Sequence, residues 1–180
     1  MKLSIRDITH IGIFTSLTSI GAFISIPIGP VPITLQTFFV LLSGIILGSK
    51  KAMLSQITYV LLGLIGLPIF AGFSGGLQTI FKPSFGFLAG CIIAAYCVGN
   101  FIENKPKTII NMSIAVLVGT LIIYAIGLPY MYYILNIMLE NNLAIISILK
   151  MGMLVFIPGD VLKAASAVLI GKKLQGKLNK

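Results

Sequence analysis

Acidic residues are nearly missing from this chain: four Asp and Glu stand against thirteen Lys and Arg in 180 residues. Charged residues of both signs make up only 9% of the sequence, where a soluble domain carries about 25%. There is too little polar surface here to cover a water-soluble globule, which excludes a soluble enzyme, a disordered chain and a soluble nucleic-acid-binding domain. Tryptophan is absent, histidine occurs once, as His10, and cysteine twice, as Cys91 and Cys97. Two cysteines make no disulfide framework. On one helix they lie about 120° apart and about 9 Å along the axis, too far to bridge, and read as small apolar residues. His10 has no neighbour at a metal-ligand spacing. No GxSxG, HExxH, paired carboxylates or GxxxxGK[ST] phosphate loop is present. The chain is therefore not expected to be an enzyme, to hold a metal or cofactor, or to hydrolyse ATP by itself.

What is abundant is apolar. Hydrophobic residues form 57% of the chain, and its mean hydropathy is +1.07. A helix needs roughly 20 apolar residues to cross the ~30 Å hydrocarbon core. Six such helices use about 120 residues and leave about 60 for connections. The expected fold class is an all-α integral membrane protein: one compact bundle of six transmembrane helices spanning 1–180 as a single domain. The apolar stretch after Lys2 and Arg6 is longer than the core of a signal peptide and lacks its small-residue cleavage pattern. It reads as the first helix.

Breakers and charges divide the chain. Helix 1 is expected over about 8–26, ending at Pro27-Ile28-Gly29-Pro30. Helix 2 opens at Pro32, a good first-turn residue, and ends near Gly48. Helix 3 covers about 52–66. A glycine-rich segment, 67–83, is too long for a plain connector and suggests a lid or binding loop. Helix 4 follows over about 84–102, and helix 5 over about 108–128. The apolar stretch 129–157, broken by Glu140-Asn141-Asn142 and Lys150, reads as one or two helices at the outer surface or a partly re-entrant segment. Helix 6 opens at Pro158 and runs to about Gly171. With both ends cytoplasmic, Lys2, Arg6, Lys50, Lys51, Lys105, Lys107, Lys172, Lys173, Lys177 and Lys180 lie inside, ten of the thirteen basic residues. That bias is the positive-inside pattern. The +9 charge then reflects orientation and attraction to anionic lipid, with no need of nucleic acid.

Polar residues within apolar segments are the candidate site. Asp160 and Lys163, at i and i+3 after Pro158-Gly159, share a helix face. Charges in a span face the bundle interior or a wet cavity. They read as a ligand-binding pair in the outer half of the bundle or as an internal ion pair that fixes the helix. Thr34 and Gln36 stand at the outer start of helix 2, about 160° apart if both are helical. Gln36 has the stronger need of polar surroundings, while Thr34 is also readable as a helix-start residue bonded back to a carbonyl. Lys82 is the one cation of the glycine-rich segment and could meet a carboxylate or simply be solvated. On helix 1, Gly12 and Ser16, and Thr15 and Ser19, make small-xxx-small pairs that permit close helix approach. They serve either a separate membrane subunit or the chain's own packing.

The runs IPIGPVPITLQTFFVLLSGIILG, GLPIFAGFSGG and FIPGDVLKAA, in that order and spacing, resemble the BioY family, the biotin-specific S components of energy-coupling factor (ECF) transporters. The resemblance covers essentially the whole chain, and VPxTxQ with PGDxxK carries it. It implies a six-helix protein of the cell membrane that captures biotin from outside. It implies partnership with a transmembrane coupling (T) subunit and two cytoplasmic ATPases, to which the missing phosphate loop conforms. It also implies that Asp160 and Lys163 bind the ureido end of biotin. The family's alanine-rich motif on helix 1 survives here as Gly12, Ser16 and neighbours. Where the family reads close to GPTGGY, this chain has Lys82-Pro83-Ser84-Phe85-Gly86-Phe87, so Ser84 and Phe87 are candidate ligand contacts or a helix cap and a core aromatic. The alternatives are a stand-alone facilitator or secondary transporter for biotin, an S component for another small vitamin, and a membrane scaffold.

Overall fold

In a computed structural model describing residues 3–178, with side chains described to residue 175, helices account for most of the chain. They are α1 (Ile5–Phe23), α2 (Gln36–Leu47), α3 (Ser49–Ile65), α4 (Phe85–Glu103), α5 (Ile109–Tyr132), a short α6 (Ile145–Leu149) and α7 (Ile157–Leu178). A π-helical segment, Tyr133–Met138, prolongs α5, and another, Lys150–Leu154, leads from α6 towards α7. The result is six helical segments, since α6 and α7 belong to one apolar stretch, Ile145–Gln175. Three segments are long and apolar enough to cross a membrane by themselves: Phe85–Glu103, Ile109–Met138 and Ile145–Gln175. Many large apolar side chains point outward, Ile110, Leu162 and Leu169 among them, which suits contact with hydrocarbon rather than water.

Helix α2 is the centre of the bundle and packs on α1, α3, α4, α5 and α7. Its twelve residues are almost all buried, with Val40, Leu41 and Ile45 meeting Ala94, Ala95 and Val98 of α4 and Ala167 and Val168 of α7 in one core cluster. Side chains are small where helices must come closest. A Cβ on Gly99 of α4 would collide with the backbone of Ser49 at the start of α3, and one on Gly90 would stand 3.0 Å from the Ile123 backbone of α5. That approach places the Glu103 carboxylate to accept from the Ser49 N–H (2.9 Å) and hydroxyl (2.7 Å), capping α3 across the interface.

Several expected boundaries move for identifiable reasons. Helix α1 starts at Ile5, three residues before the expected position, because Ser4 and Asp7 form a reciprocal capping box. Helix 2 does not open at Pro32. Ile26, Gly29 and Val31 each precede a proline, which disfavours the α conformation. The chain instead makes a small antiparallel hairpin of β1 (Ser25–Ile26) and β2 (Ile33–Thr34), with Gly29 at φ +67° in its loop. Thr34 is thus a strand residue, and the 160° helical offset from Gln36 does not apply. The helices expected in the stretch 129–157 are present, but they prolong α5 and lead into α7 instead of forming a separate unit. Helix α5 continues through Pro129, as spanning helices tolerate when neighbours satisfy the freed carbonyl. The turn at 139–144 is then clamped by Asn136, whose amide both donates to the Leu143 carbonyl and accepts from its N–H at 2.8 Å.

Most of the described basic residues gather at one end of the bundle, with Lys82, Lys150 and Lys163 apart from them. Lys51 reaches Asp7 (3.0 Å) from the start of α3, and Lys172 donates to the Lys107 carbonyl (2.6 Å). Lys2, Lys180 and the Lys177 side chain of the expected charge pattern lie outside what is described. Cys91 is buried and Cys97 half-buried, both free thiols.

The close approach of α4 to α3 makes a stability prediction. Gly99→Ala should lower the thermal unfolding midpoint of the detergent-solubilised protein, at a cost of about 1–3 kcal/mol for overpacking. Gly12→Ala, whose Cβ would meet nothing within 4 Å, should not lower the midpoint and should raise it slightly, because alanine is the better helix former.

Candidate functional site

At the end of the bundle opposite the lysine cluster lies a cavity of about 260 Å³, near the lower end of the range for small-molecule sites. It is enclosed by the β1–β2 hairpin, the first turn of α2, the glycine-rich segment, the start of α4, the second half of α5 and the start of α7. All seven candidate ligand residues, Thr34, Gln36, Lys82, Ser84, Phe87, Asp160 and Lys163, line it.

Asp160 and Lys163 form its polar wall. One carboxylate oxygen of Asp160 accepts from Lys163 Nζ at 2.6 Å, and the other accepts from the Tyr124 hydroxyl of α5. Lys163, 8% exposed, also donates to the Thr34 carbonyl at 3.1 Å. An ammonium has three donors, so one remains after these two contacts, and each carboxylate oxygen retains lone-pair capacity. A group that both donates and accepts on one edge, such as a urea or amide, can engage both residues at once. The expected alternatives for this pair are thus compatible: it ties α7 to the β1–β2 hairpin and α5, and it keeps hydrogen-bonding capacity for an occupant.

Thr34 does not bond back to a preceding carbonyl. Its hydroxyl accepts from the Gln36 backbone N–H at 3.3 Å, and its own carbonyl faces Lys163. Gln36 is buried, and its side-chain amide meets no hydrogen-bond partner among the described residues while lining the cavity. Ser84 precedes α4 but makes no side-chain cap bond. Phe87 packs edge-on against Tyr124, with ring centroids 6.4 Å apart, and joins the core clusters while lining the cavity.

The glycine-rich segment is ordered as a wall. Phe70 and Ser74 pair through their backbones, Gly76 N–H donates to the Gly63 carbonyl (2.7 Å), and a 3₁₀ turn covers Leu77–Phe81. Phe70, Ala71, Ser74, Thr79 and Lys82 from this segment face the cavity. Tyr130 of α5 anchors the turn by donating to the Ile80 carbonyl.

Sequence reading missed Tyr124, Thr120, Thr37 and Cys91, which also line the cavity. Thr120 and Tyr124 are four apart on α5, a polar pair on one face of a mostly apolar helix that could have flagged them. The hydroxyl of Thr37 is buried and meets no hydrogen-bond partner among the described residues. A lateral groove of about 480 Å³ between α5 and α7 shares Thr120, Tyr124 and Asp160 with the cavity and is otherwise mostly apolar.

The small-residue ladder of α1 splits. Thr15 and Ser19 are buried, and the Thr15 hydroxyl lies 3.0 Å from the Ser55 carbonyl of α3. They pack the chain's own bundle. Gly12 and Ser16 lie on the exposed side of the helix, away from the cavity.

The fold and the cavity define a class: a small, predominantly helical membrane protein with a polar-walled cavity of small-molecule size at one end of its bundle. The BioY family model matches residues 1–180, and this chain belongs to the BioY family. It is 42% identical over 170 residues to the biotin transporter BioY of Thermotoga maritima, covering 94% of this chain and 96% of that protein. It is 40% identical over 171 residues to the probable biotin transporter BioY of Pyrococcus horikoshii, covering 95% and 97%. Among solved structures it resembles the S-component for biotin from an ECF-type ABC transporter, with a TM-score of 0.85 and 28% identity over 96% of this chain and 92% of that one.

The buried pair makes a prediction independent of any ligand. Asp160→Ala leaves the Lys163 ammonium buried without its counter-charge, which should cost about 3–5 kcal/mol. Asp160→Ala combined with Lys163→Met should recover much of that loss. Equal unfolding midpoints for the single and double variants in ligand-free detergent would contradict this account of the pair.

Proposed function

We propose that this chain is the biotin-binding S component of an ECF-type importer, acting as one membrane-embedded domain that takes biotin from the outer side of the cell membrane. The observation that carries the reading is the Asp160–Lys163 pair facing a cavity of about 260 Å³, in a chain whose relatives are biotin transporters. Biotin has two ureido N–H donors and a carbonyl acceptor on one compact ring. Asp160 accepts from ureido N–H, and the remaining Lys163 donor serves the ureido oxygen. Thr34 holds Lys163 in place through its carbonyl. Gln36, Ser84, Phe87 and Tyr124 complete the surroundings, the polar ones offering hydrogen bonds and Phe87 an apolar face for the thiophane ring. Equilibrium binding of labelled biotin to the purified chain in detergent is the decisive experiment. Charge-assisted hydrogen bonds contribute about 1.5–3 kcal/mol each, so Asp160→Asn should weaken binding roughly ten- to a hundredfold. No saturable biotin binding by the wild-type chain would end this reading.

Orientation follows from charge. The lysine-rich end lies inside and the cavity outside, with both termini cytoplasmic. The arrangement of Arg6, Lys50, Lys51, Lys105, Lys107, Lys172 and Lys173 at the end away from the cavity supports it.

Energy comes from partners. The chain carries no phosphate loop, so active uptake requires a transmembrane coupling subunit and two cytoplasmic ATPases. The exposed Gly12 and Ser16 of α1 offer that coupling subunit a close approach, whereas Thr15 and Ser19 serve internal packing. Gly12→Trp or Ser16→Trp should abolish co-purification with the coupling subunit and ATP-driven uptake while leaving biotin affinity intact. Unchanged assembly in both variants would return this face to plain lipid contact.

A further inference from the structure

The four carboxylates of the chain are distributed in a way that leaves one cation at the cavity unbalanced. Asp7 pairs with Lys51, and Asp160 with Lys163. Glu103 caps Ser49 at the opposite end of the bundle, and Glu140 is exposed in the connection after α5. Of the two lysines that line the cavity, Lys163 is buried and neutralised. Lys82 is exposed and has no salt-bridge partner among the described residues. The two belong to different walls. Lys163 is on α7, which packs on α2 and α5, whereas Lys82 directly follows the Leu77–Phe81 turn, which packs on α3 and α4. The cavity therefore offers a charge-neutral donor–acceptor pair on one wall and a net positive charge at its solvent edge on another.

We infer that Lys82 selects the charge of the occupant: it favours a ligand ending in a free carboxylate over the same ligand capped as a neutral amide. This rests on the biotin reading above and adds to it a preference for free biotin over its neutral amide conjugates. The Asp160–Lys163 pair cannot make that distinction, because its net charge is zero and its hydrogen bonds suit the neutral ureido head. An ammonium at a solvent-exposed rim acts through a high dielectric, so the preference is modest and falls with salt.

The test compares biotin with biotinamide on the wild-type chain, Lys82→Gln and Lys82→Glu, at low and at about 1 M salt. At low salt the wild type should bind biotin roughly two- to fivefold more tightly than biotinamide, the size expected of an exposed ion pair. The preference should vanish in Lys82→Gln, reverse in Lys82→Glu, and collapse at high salt. Biotinamide should bind all three proteins equally, which reports an intact ureido site and a folded protein. Full retention of the preference in Lys82→Gln, or no preference in the wild type, would overturn the role of Lys82 while leaving the biotin site standing. Failure of both compounds to bind the wild type would instead overturn the biotin reading on which the inference rests.

Discussion

An ammonium group in the interior of a membrane protein has to be surrounded by acceptors, and the end of this bundle is organised around that requirement. Desolvating a charge costs several kcal/mol unless a partner and further hydrogen bonds compensate. Lys163 obtains them from Asp160 one turn earlier and from the Thr34 carbonyl. Asp160 in turn receives the Tyr124 hydroxyl. Three separate parts of the chain, α7, the β1–β2 hairpin and α5, are thereby held to one another. The group that fixes the geometry is also the group with hydrogen-bonding capacity left over, so the proposed site and the scaffold share their residues.

The bundle separates its tasks by end and by face. One end carries most of the lysines, the Asp7 contact and the Glu103 cap on α3; the other carries the cavity with Lys82 and Lys163. Between them runs α2, with nine of its twelve residues buried and neighbours on α4 and α7. Helix α1 shows the same economy across its width. Thr15 and Ser19 turn inward to α3, and Gly12 and Ser16 remain on the outside, clear of the cavity. That face carries none of the residues that line the cavity.

The glycine-rich segment illustrates how a loop becomes a wall. Its length and composition alone suggest a flexible cover. In the fold its backbone groups pair with one another and with the end of α3, and Tyr130 pins the 3₁₀ turn. Phe73, at φ +52°, stacks its ring on Phe23 of α1 at 4.6 Å between centroids. The segment thus carries an unusual backbone conformation together with a side-chain contact.

Composition and spacing define a membrane protein of six helical segments, single out Asp160 and Lys163, and bring Thr34, Gln36 and Lys82 into consideration, whereas Ser84 and Phe87 enter only through the family resemblance. Those signals are local: charge in an apolar run, prolines at a helix start, a four-residue offset on one face. What they could not supply was long-range partnership. Tyr124 lies 36 residues from Asp160 in sequence, and Thr34 lies 129 from Lys163; nothing in either neighbourhood announces the other. The prolines around Val31 were legible as breakers, but only the hairpin they allow turns the Thr34 carbonyl towards α7. Which half of the α1 ladder faces inward was likewise decided by the packing of α3, because two small-residue faces of one helix look alike until a neighbouring helix covers one of them.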